Sequence, residues 1–230
     1  MAKKAAKNLD RRELPAYSIS EAAHYLTVPA ATVRYWATGQ GDYEPLIEIP
    51  TTRPALLSFF NLVELHVLAA IRRKHTVPMP KVRAAIEYLK KNTHTASDKR
   101  HPLISKQLET DGLDLFIQRY GELVSISQDG QIAMREVMSA ALHRIERDAK
   151  GIPIKLYPFT RSDIREAPTM IVIDPVLSAG RPVIAGTGLT TEVIAERYKA
   201  GESIEELARD YGRREEEIEE AVRCELQAAA

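Results

Sequence analysis

Thr32-Val33-Arg34-Tyr35-Trp36 is the stretch of this 230-residue chain that decides the fold we expect. A helical pattern over residues 17–26 precedes it by a five-residue step. Ser18 and Glu21 fit a capping box at the start of that first helix, and Pro29 stands where a second helix should begin. Two short helices joined by a tight turn are typical of a helix-turn-helix, whose second helix enters the DNA major groove. We therefore predict that this segment binds double-stranded DNA.

The second helix has one side for the core and one for the ligand. Val33 and Trp36 lie three residues apart, so we expect both to face inward. Thr32, Arg34 and Tyr35 then point outward and are the predicted DNA contacts. A guanidinium suits this role, because it can bind a phosphate or a guanine with two parallel hydrogen bonds. The alternative is that Arg34 forms a salt bridge within the domain and that Tyr35 belongs to the core.

A β-hairpin is predicted after the helix-turn-helix. Two short apolar runs, Leu46–Ile49 and Ala55–Phe59, flank the turn Pro50–Pro54. A hairpin in this position is a wing, and its tip would approach a phosphate or the minor groove. The predicted DNA contacts outside the second helix are Ser20, Thr51, Thr52 and Arg53.

The middle of the chain is expected to form a small α+β segment over residues 101–160. Residues 17–92 complete the winged domain with two further helices, and the polar residues 93–100 are predicted to be a linker. Within the middle segment we predict strands at 113–117, 123–126 and 154–159 and a helix over 131–148. The segment carries no recognisable motif, so a packed spacer, a dimer contact and a small-ligand site all stay open.

The last segment, residues 170–226, follows a second polar linker over 161–169. It begins with two short strands in a hairpin and continues with three short helices, the second of which opens on the capping box Ser203–Glu206. The whole chain is thus predicted to be a mainly helical α+β protein. Its expected parts are a flexible basic tail (1–16), an N-terminal winged helix-turn-helix, a small α+β middle segment and a C-terminal three-helix, helix-turn-helix-like domain.

Charge and composition narrow the class of protein. Residues 1–100 contain 16 basic and 9 acidic side chains, and residues 101–230 contain 16 basic and 23 acidic ones. The net charge of zero is therefore the sum of +7 in the first part and −7 in the second. A basic half suits a polyanion, and we expect the two halves to face different partners. Cys224 is the single cysteine, which excludes an internal disulfide and indicates a reducing cytoplasm. No apolar run reaches the ~18 residues of a membrane span, and no secretory leader is expected.

No enzyme or metal motif is recognisable. Gly180, Gly186 and Gly188 lack the Lys-Ser/Thr of a phosphate loop and the spacing of a dinucleotide-binding fold. The six histidines show no metal-ligand spacing. We therefore expect no cofactor, no metal and no catalytic residue, and interpret the chain as a binding protein.

The N-terminal pattern resembles the winged helix-turn-helix of MerR-type regulators. Their recognition helix contains Thr-Leu-Arg-Tyr followed by Tyr or Trp, which Thr32–Trp36 matches, and the likeness extends over about residues 17–91. In that family the arginine and tyrosine contact DNA, so the resemblance implies this role for Arg34 and Tyr35. The long dimerisation coiled coil that usually follows in MerR proteins has no counterpart after residue 92.

The C-terminal pattern resembles a VapB-type antitoxin domain that was long classed as a domain of unknown function. Asp174-Pro175, the run Gly180–Thr187, Gly201 and Ser203–Glu206 carry the likeness. Gly188 replaces an arginine that is common in the family. Residues 192–225 hold 6 basic and 12 acidic side chains, a surface that repels phosphate but suits a basic protein. The predicted partner contacts are Arg181, Glu215, Glu216 and Glu219.

The two resemblances together imply an antitoxin of a type II toxin–antitoxin system. Such a protein would bind and block a small basic ribonuclease toxin with a PIN-like fold and repress its own operon as a homodimer on operator DNA. One alternative is a MerR-like transcription regulator that senses a small ligand through residues 101–160. Another is an accessory DNA binder with little sequence preference.

Overall fold

The protein is mainly helical with two small antiparallel sheets, which confirms the predicted fold class. The computed structural model describes residues 10–74, 79–92, 95–106, 108, 112–124, 128–161 and 167–226. The helices in these residues are α1 (Ile19–Leu26), α2 (Ala30–Thr38), α3 (Phe59–Lys74), α4 (Met79–Asn92), α5 (Ala96–Arg100), α6 (Leu113–Val124), α7 (Gln128–Leu142), α8 (Thr191–Lys199), α9 (Ile204–Tyr211) and α10 (Glu215–Leu226). The strands are β1 (Tyr17–Ser18), β2 (Thr51–Thr52), β3 (Ala55–Leu57), β4 (Ile145–Arg147), β5 (Pro153–Leu156), β6 (Ile171–Ile173) and β7 (Pro182–Ile184).

The helix-turn-helix forms as the local signals predict. The Ser18 side chain accepts a hydrogen bond from the Glu21 backbone, and the Glu21 carboxylate accepts one from the Ser18 backbone. Pro29 is the N-cap residue of α2. Val33 and Trp36 have no exposed surface, so the predicted inward face of α2 is confirmed.

The wing is shorter than predicted and displaced along the chain. Its strands are β2 and β3, and β1 pairs with the other edge of β3 to complete a three-stranded sheet. The predicted first strand, Leu46–Ile49, is wrong. Leu46 and Ile47 are both buried beneath α2, where the Leu46 amide donates to the Trp36 carbonyl at 2.8 Å. Neighbouring side chains that point the same way do not follow the alternation of a strand.

The middle segment contains helices where strands were predicted. Helix α6 covers the whole of 113–117 and the described part of 123–126, of which residues 125 and 126 lie outside the described residues. Leu113, Phe116, Ile117 and Tyr120 are buried with the 3–4 residue spacing of a helix, which was the signal that the strand prediction missed. Helix α7 ends at Leu142 rather than at residue 148, and the short helix α5 occupies part of the predicted linker 93–100.

The second sheet joins the middle segment to the C-terminal segment. Its order is β4-β5-β6-β7, so β5 of the middle segment pairs with β6 across the predicted linker 161–169. Ile173 of β6 belongs to the same core as the helix-turn-helix, whereas α8, α9 and α10 enclose a separate core around Ile194, Leu207 and Ile218. The predicted C-terminal hairpin and its three helices are confirmed.

A buried polar pair links α3 to the start of the middle segment. Glu64 and His101 are 1% and 4% exposed, and Nδ1 of His101 lies 3.0 Å from Oε2 of Glu64. Burial raises the pKa of the Glu64 carboxyl, although His101 and Asn61 act in the opposite direction. A paired carboxyl in the core therefore attaches residue 101 to the winged domain.

Two further expectations concern the N-terminal tail and the absence of a membrane span. Arg11–Glu13 form a 3-10 turn, and Arg12 pairs with Asp10 and with Asp148 of the middle segment. Residues 1–9 of the predicted tail 1–16 lie outside the described residues. None of the helices in the described ranges is both long and apolar enough to cross a membrane.

Candidate functional site

Of the three predicted DNA contacts on α2, Arg34 is exposed, whereas Thr32 and Tyr35 are half-buried and Tyr35 packs against the main core. No described residue forms a hydrogen bond or an ion pair with the Arg34 guanidinium. Thr32 Oγ1 accepts a hydrogen bond from Arg72 Nη1 at 3.1 Å. The half-buried ring of Tyr35 meets Tyr43 edge to face, with ring centroids 6.4 Å apart. The structure therefore leaves the Arg34 guanidinium available to a phosphate or a guanine, while Thr32 and Tyr35 are held by neighbours.

Arg72 is a second exposed cation beside α2, and it is not among the DNA contacts predicted from the sequence. It is exposed in the last turn of α3, and its guanidinium donates a hydrogen bond to Thr32 in the first turn of α2. The signal was the basic run that begins at Arg72, which also fits a simple charge complement to the end of a helix.

The wing presents one further cation. Thr51 and Thr52 form β2, where Thr51 is half-buried and Thr52 is exposed, and the exposed Arg53 lies in the turn that follows. Among the described residues, none pairs with the Arg53 side chain. A single guanidinium at the tip of a wing suits a phosphate contact, which positions a protein on DNA without reading its sequence.

Ser20 and Arg181 lie in one cleft between α1 and the C-terminal segment. The cleft has a volume of about 370 Å³, and it is lined mostly by polar and charged side chains: Ser20, Glu21, His24, Tyr25, Arg181, Pro182, Thr191, Glu192 and Glu225. Arg181 forms an ion pair with Glu192. Three carboxylates beside one guanidinium and one imidazole repel phosphate, so the surroundings of Ser20 are less suited to DNA than those of Arg34.

The other predicted partner contacts lie away from this cleft, on α10. Glu215, Glu216 and Glu219 are exposed. Glu217 and Glu220, which the sequence placed in the same acidic surface, are 7% and 1% exposed. Glu217 pairs with Arg213 at 2.6 Å, and Glu220 accepts from Arg161 at 2.8 Å. The structure therefore divides the acidic run of α10 into three outward and two inward carboxylates.

Polar contacts attach the C-terminal segment to the winged domain. The buried Tyr17 hydroxyl donates to the Gly180 carbonyl at 3.1 Å, and Nε2 of His24 lies 3.1 Å from Oε2 of Glu225. The hydrogen bond to Glu225 raises the pKa of His24, although burial opposes it. Burial alone would raise the pKa of Glu225, but hydrogen bonds from His24 and Thr191 lower it overall. The winged domain and the C-terminal segment thus contact each other directly, through Tyr17 and Gly180 and through the pair between α1 and α10.

The middle segment borders a small cavity beside the Glu64–His101 pair. Its volume is about 110 Å³, and Ser105, Lys106 and Lys150 are among its lining residues. Pockets for small ligands usually measure about 300–1,000 Å³. In the described part of the chain no group of three or more His, Cys, Asp or Glu side chains could hold a metal ion.

Two family models match separate parts of the chain. Residues 15–86 match a "Putative DNA-binding HTH domain", and residues 171–223 match "Protein of unknown function (DUF433)". The first match includes α1, α2 and the wing, and the second includes β6, β7 and most of α10. The chain therefore combines a region that is similar to a helix-turn-helix family with a region that is similar to the DUF433 family.

Relatives from Mycobacterium tuberculosis match both parts together. The chain is 30% identical over 240 residues to "Putative antitoxin VapB45", with 92% of this chain and 94% of the relative covered. It is 26% identical over 220 residues to "Uncharacterized protein Rv2308", covering 90% and 88%. The crystal structure of Rv2018 superposes with a TM-score of 0.70 at 28% identity, covering 93% of this chain and all of that one. This chain belongs to the family of the relative named Putative antitoxin VapB45.

Proposed function

We propose that this protein is the antitoxin of a type II toxin–antitoxin pair, which blocks a small PIN-like ribonuclease by direct binding and represses its own operon. The observation that carries the proposal is the similarity along nearly the whole chain to a relative named as an antitoxin, with both the DNA-binding and the DUF433 parts included. The exposed cation of α2 supports the DNA-binding half, and the outward carboxylates of α10 support the half that binds a basic protein.

The DNA-binding half works as a MerR-like winged helix-turn-helix. Helix α2 enters the major groove, Arg34 contacts a base edge or phosphate there, and Arg53 of the wing contacts the backbone. Arg72 exchanges its bond with Thr32 for a phosphate. The protein acts as a homodimer on a pseudo-palindromic operator, because two-fold symmetry in the protein matches two half-sites on the DNA.

Replacing Arg34 tests this half. With the DNA upstream of the protein's own reading frame as the probe, Arg34→Ala should weaken binding by about 1–3 kcal/mol if the guanidinium contacts a base. Arg209→Ala is the matched control, because Arg209 is exposed on α9, outside the proposed interface. Binding is measured by fluorescence anisotropy at several salt concentrations. The contacts to phosphates are the ones that make the affinity for DNA fall as the salt concentration rises, so the series distinguishes them from contacts to bases. Equal affinity of Arg34→Ala and the unaltered protein would refute the assignment.

The toxin-binding half is tested with the full chain. Removing residues 170–226 would break the pairing of β5 with β6 and expose the core around Ile173, so a truncated protein would not isolate one function. The probe is the small protein encoded by the reading frame next to this one. We expect it to cleave RNA when purified alone and to lose this activity when the antitoxin is added at equal concentration. Undiminished cleavage would exclude the antitoxin function.

A further inference from the structure

A groove of about 400 Å³ opens on the outer side of the C-terminal segment. It lies between α8 and α10, at the start of α9, and four apolar or aromatic side chains and two charged ones line it: Tyr198, Ile204, Val222, Leu226, Glu219 and Arg223. Tyr198 and Leu226 are 39% and 44% exposed, which is high for side chains of this size. Exposed apolar side chains that lie together in one shallow groove favour a protein contact more than the same side chains scattered singly over the surface.

Carboxylates border this groove on α10. Glu219 lines it, and Glu215 and Glu216 lie one turn earlier on the same side of the helix, since residues three and four apart are neighbours on a helix surface. Arg223 also lines the groove, and its Nε lies 3.5 Å from the buried Glu220 carboxylate, which Arg161 contacts at 2.8 Å. The three exposed carboxylates outnumber this one guanidinium. The groove therefore combines apolar side chains with a border that carries more negative than positive charge.

This combination of charge and shape selects the occupant. Nucleic acid is disfavoured, because the border repels phosphate. A second copy of the chain is also disfavoured, because a two-fold interface places the same patch on both sides and would bring like carboxylates together. An apolar stripe flanked by lysine or arginine satisfies both the apolar side chains and the border, and an amphipathic helix supplies such a stripe at positions i, i+3, i+4 and i+7.

We propose that the α8–α10 groove binds a basic amphipathic helix of the toxin, an inference that rests on the proposed antitoxin function. The apolar side of that helix packs on Tyr198, Val222 and Leu226, and its cations pair with Glu219 and the carboxylates one turn away. The predicted contacts Glu215, Glu216 and Glu219 thus belong to one binding surface. Arg181, in the cleft beside α1, does not take part.

Two synthetic peptides test the chemistry of the groove. Both are helical peptides of about 18 residues with leucines at i, i+3, i+4 and i+7, and they differ only in carrying lysines or glutamates on the flanks. The full-length protein should bind the lysine peptide and not the glutamate peptide by calorimetry, and amide shifts in NMR should concentrate in α8 and α10. Binding of both peptides alike, binding of neither, or shifts centred elsewhere would overturn the proposal.

Paired variants locate the contact. Leu226→Glu should weaken binding of the lysine peptide at least about tenfold, because it replaces an apolar side chain of the groove with a charged one on which the leucines of the peptide cannot pack. Val193→Glu is its control, because Val193 is equally exposed at 43% on α8 but does not line the groove. Glu219→Lys should also weaken binding, and Glu196→Lys gives the same change of net charge on an exposed residue outside the lining. Equal effects of variant and control would show non-specific attraction and refute the groove.

The same variants separate this inference from the antitoxin function. If the unaltered protein inhibits the neighbouring nuclease and Leu226→Glu inhibits it equally well, the groove assignment fails while the antitoxin function stands. If the unaltered protein does not inhibit the nuclease, the proposed function fails whatever the peptides do. Light scattering measures the oligomeric state of the protein and of its variants. If the unaltered protein is a dimer and Leu226→Glu converts it to a monomer, the occupant of the groove is a second copy of the chain and the proposal is overturned.

Discussion

The contact between Tyr17 and Gly180 makes a quantitative prediction about how the winged domain is attached to the C-terminal segment. The Tyr17 hydroxyl donates to the Gly180 carbonyl, and Tyr17 is only 3% exposed. Tyr17→Phe removes the donor and leaves a buried carbonyl unpaired, which should lower the free energy of unfolding by about 1–2 kcal/mol. Gly180 has a φ of +78°. At this φ the backbone strain of a residue with a Cβ should lower the free energy of unfolding by about 1–2 kcal/mol. A Cβ there would also overlap the Tyr17 hydroxyl, adding about 1–3 kcal/mol because the ring is buried and cannot move away.

The double variant distinguishes this geometry from two independent effects. In Tyr17→Phe/Gly180→Ala the overlapping oxygen is absent and the hydrogen bond is lost only once. The combined destabilisation should therefore be smaller than the sum of the two single effects by about 1–2 kcal/mol, whereas unconnected substitutions add to within about 0.5 kcal/mol. Gly186→Ala is the control: its φ is +77°, but an added Cβ would meet nothing within 4 Å, so its effect should add to that of Tyr17→Phe.

Urea unfolding followed by circular dichroism at 25 °C measures six proteins: the unaltered protein, the three single variants, and the two double variants in which Tyr17→Phe is combined with Gly180→Ala or with Gly186→Ala. The slope with denaturant should stay constant, so that differences in midpoint report stability alone. Additive effects of Tyr17→Phe and Gly180→Ala would refute the proposed contact, as would a Gly186→Ala variant that couples to Tyr17 as strongly as Gly180→Ala does.

Two further predictions concern the C-terminal segment. The pKa of His24 is raised by its pair with Glu225. This pair therefore stabilises the protein fully below the ordinary histidine pKa of about 6.5, and its contribution is lost as the pH rises through the raised pKa. The lowered pKa of Glu225 keeps its carboxylate charged throughout this range. Between pH 6 and pH 9 the unaltered protein should thus lose up to about 1 kcal/mol more stability in urea than His24→Gln does, and equal losses would contradict the pair. Leu207→Ala removes a side chain with no exposed surface from the core of α8–α10 and should cost about 2–5 kcal/mol, while a loss under about 1 kcal/mol in a thermal melt would mean that this core is not close-packed.

Sequence patterns predicted the parts of the site that depend on neighbouring residues. The capping boxes at Ser18 and Ser203 form as expected, because both partners lie three residues apart. The inward face of α2 follows from the spacing of Val33 and Trp36 and leaves Arg34 outward. The two resemblances coincide with the matched helix-turn-helix and DUF433 regions. The MerR-like mode of DNA recognition, the dimer and the toxin stay predictions.

Patterns failed where a short apolar run fits two structures. Leu113–Ile117 was predicted to be a strand although Phe116, Ile117 and Tyr120 continue a helical spacing, and both patterns place apolar residues in the core. In the wing, burial of Leu46 and Ile47 beneath α2 moved the first strand to Thr51 and Thr52. Tertiary packing decided both cases, because the burial that it offers outweighs the small differences in local propensity.

The sequence by itself determined where α1, α2 and the three C-terminal helices begin, which side of α2 is apolar and that the two halves differ in charge. These properties depend on contacts within about four residues or on composition alone. Only the tertiary structure decided that β5 pairs with β6, that Tyr17 meets Gly180 across 163 residues of chain, and that the acidic run of α10 is divided into inward and outward carboxylates. The physical reason is that these contacts join residues far apart in the chain, and whether a carboxylate is buried depends on whether a distant arginine such as Arg161 is there to pair with it.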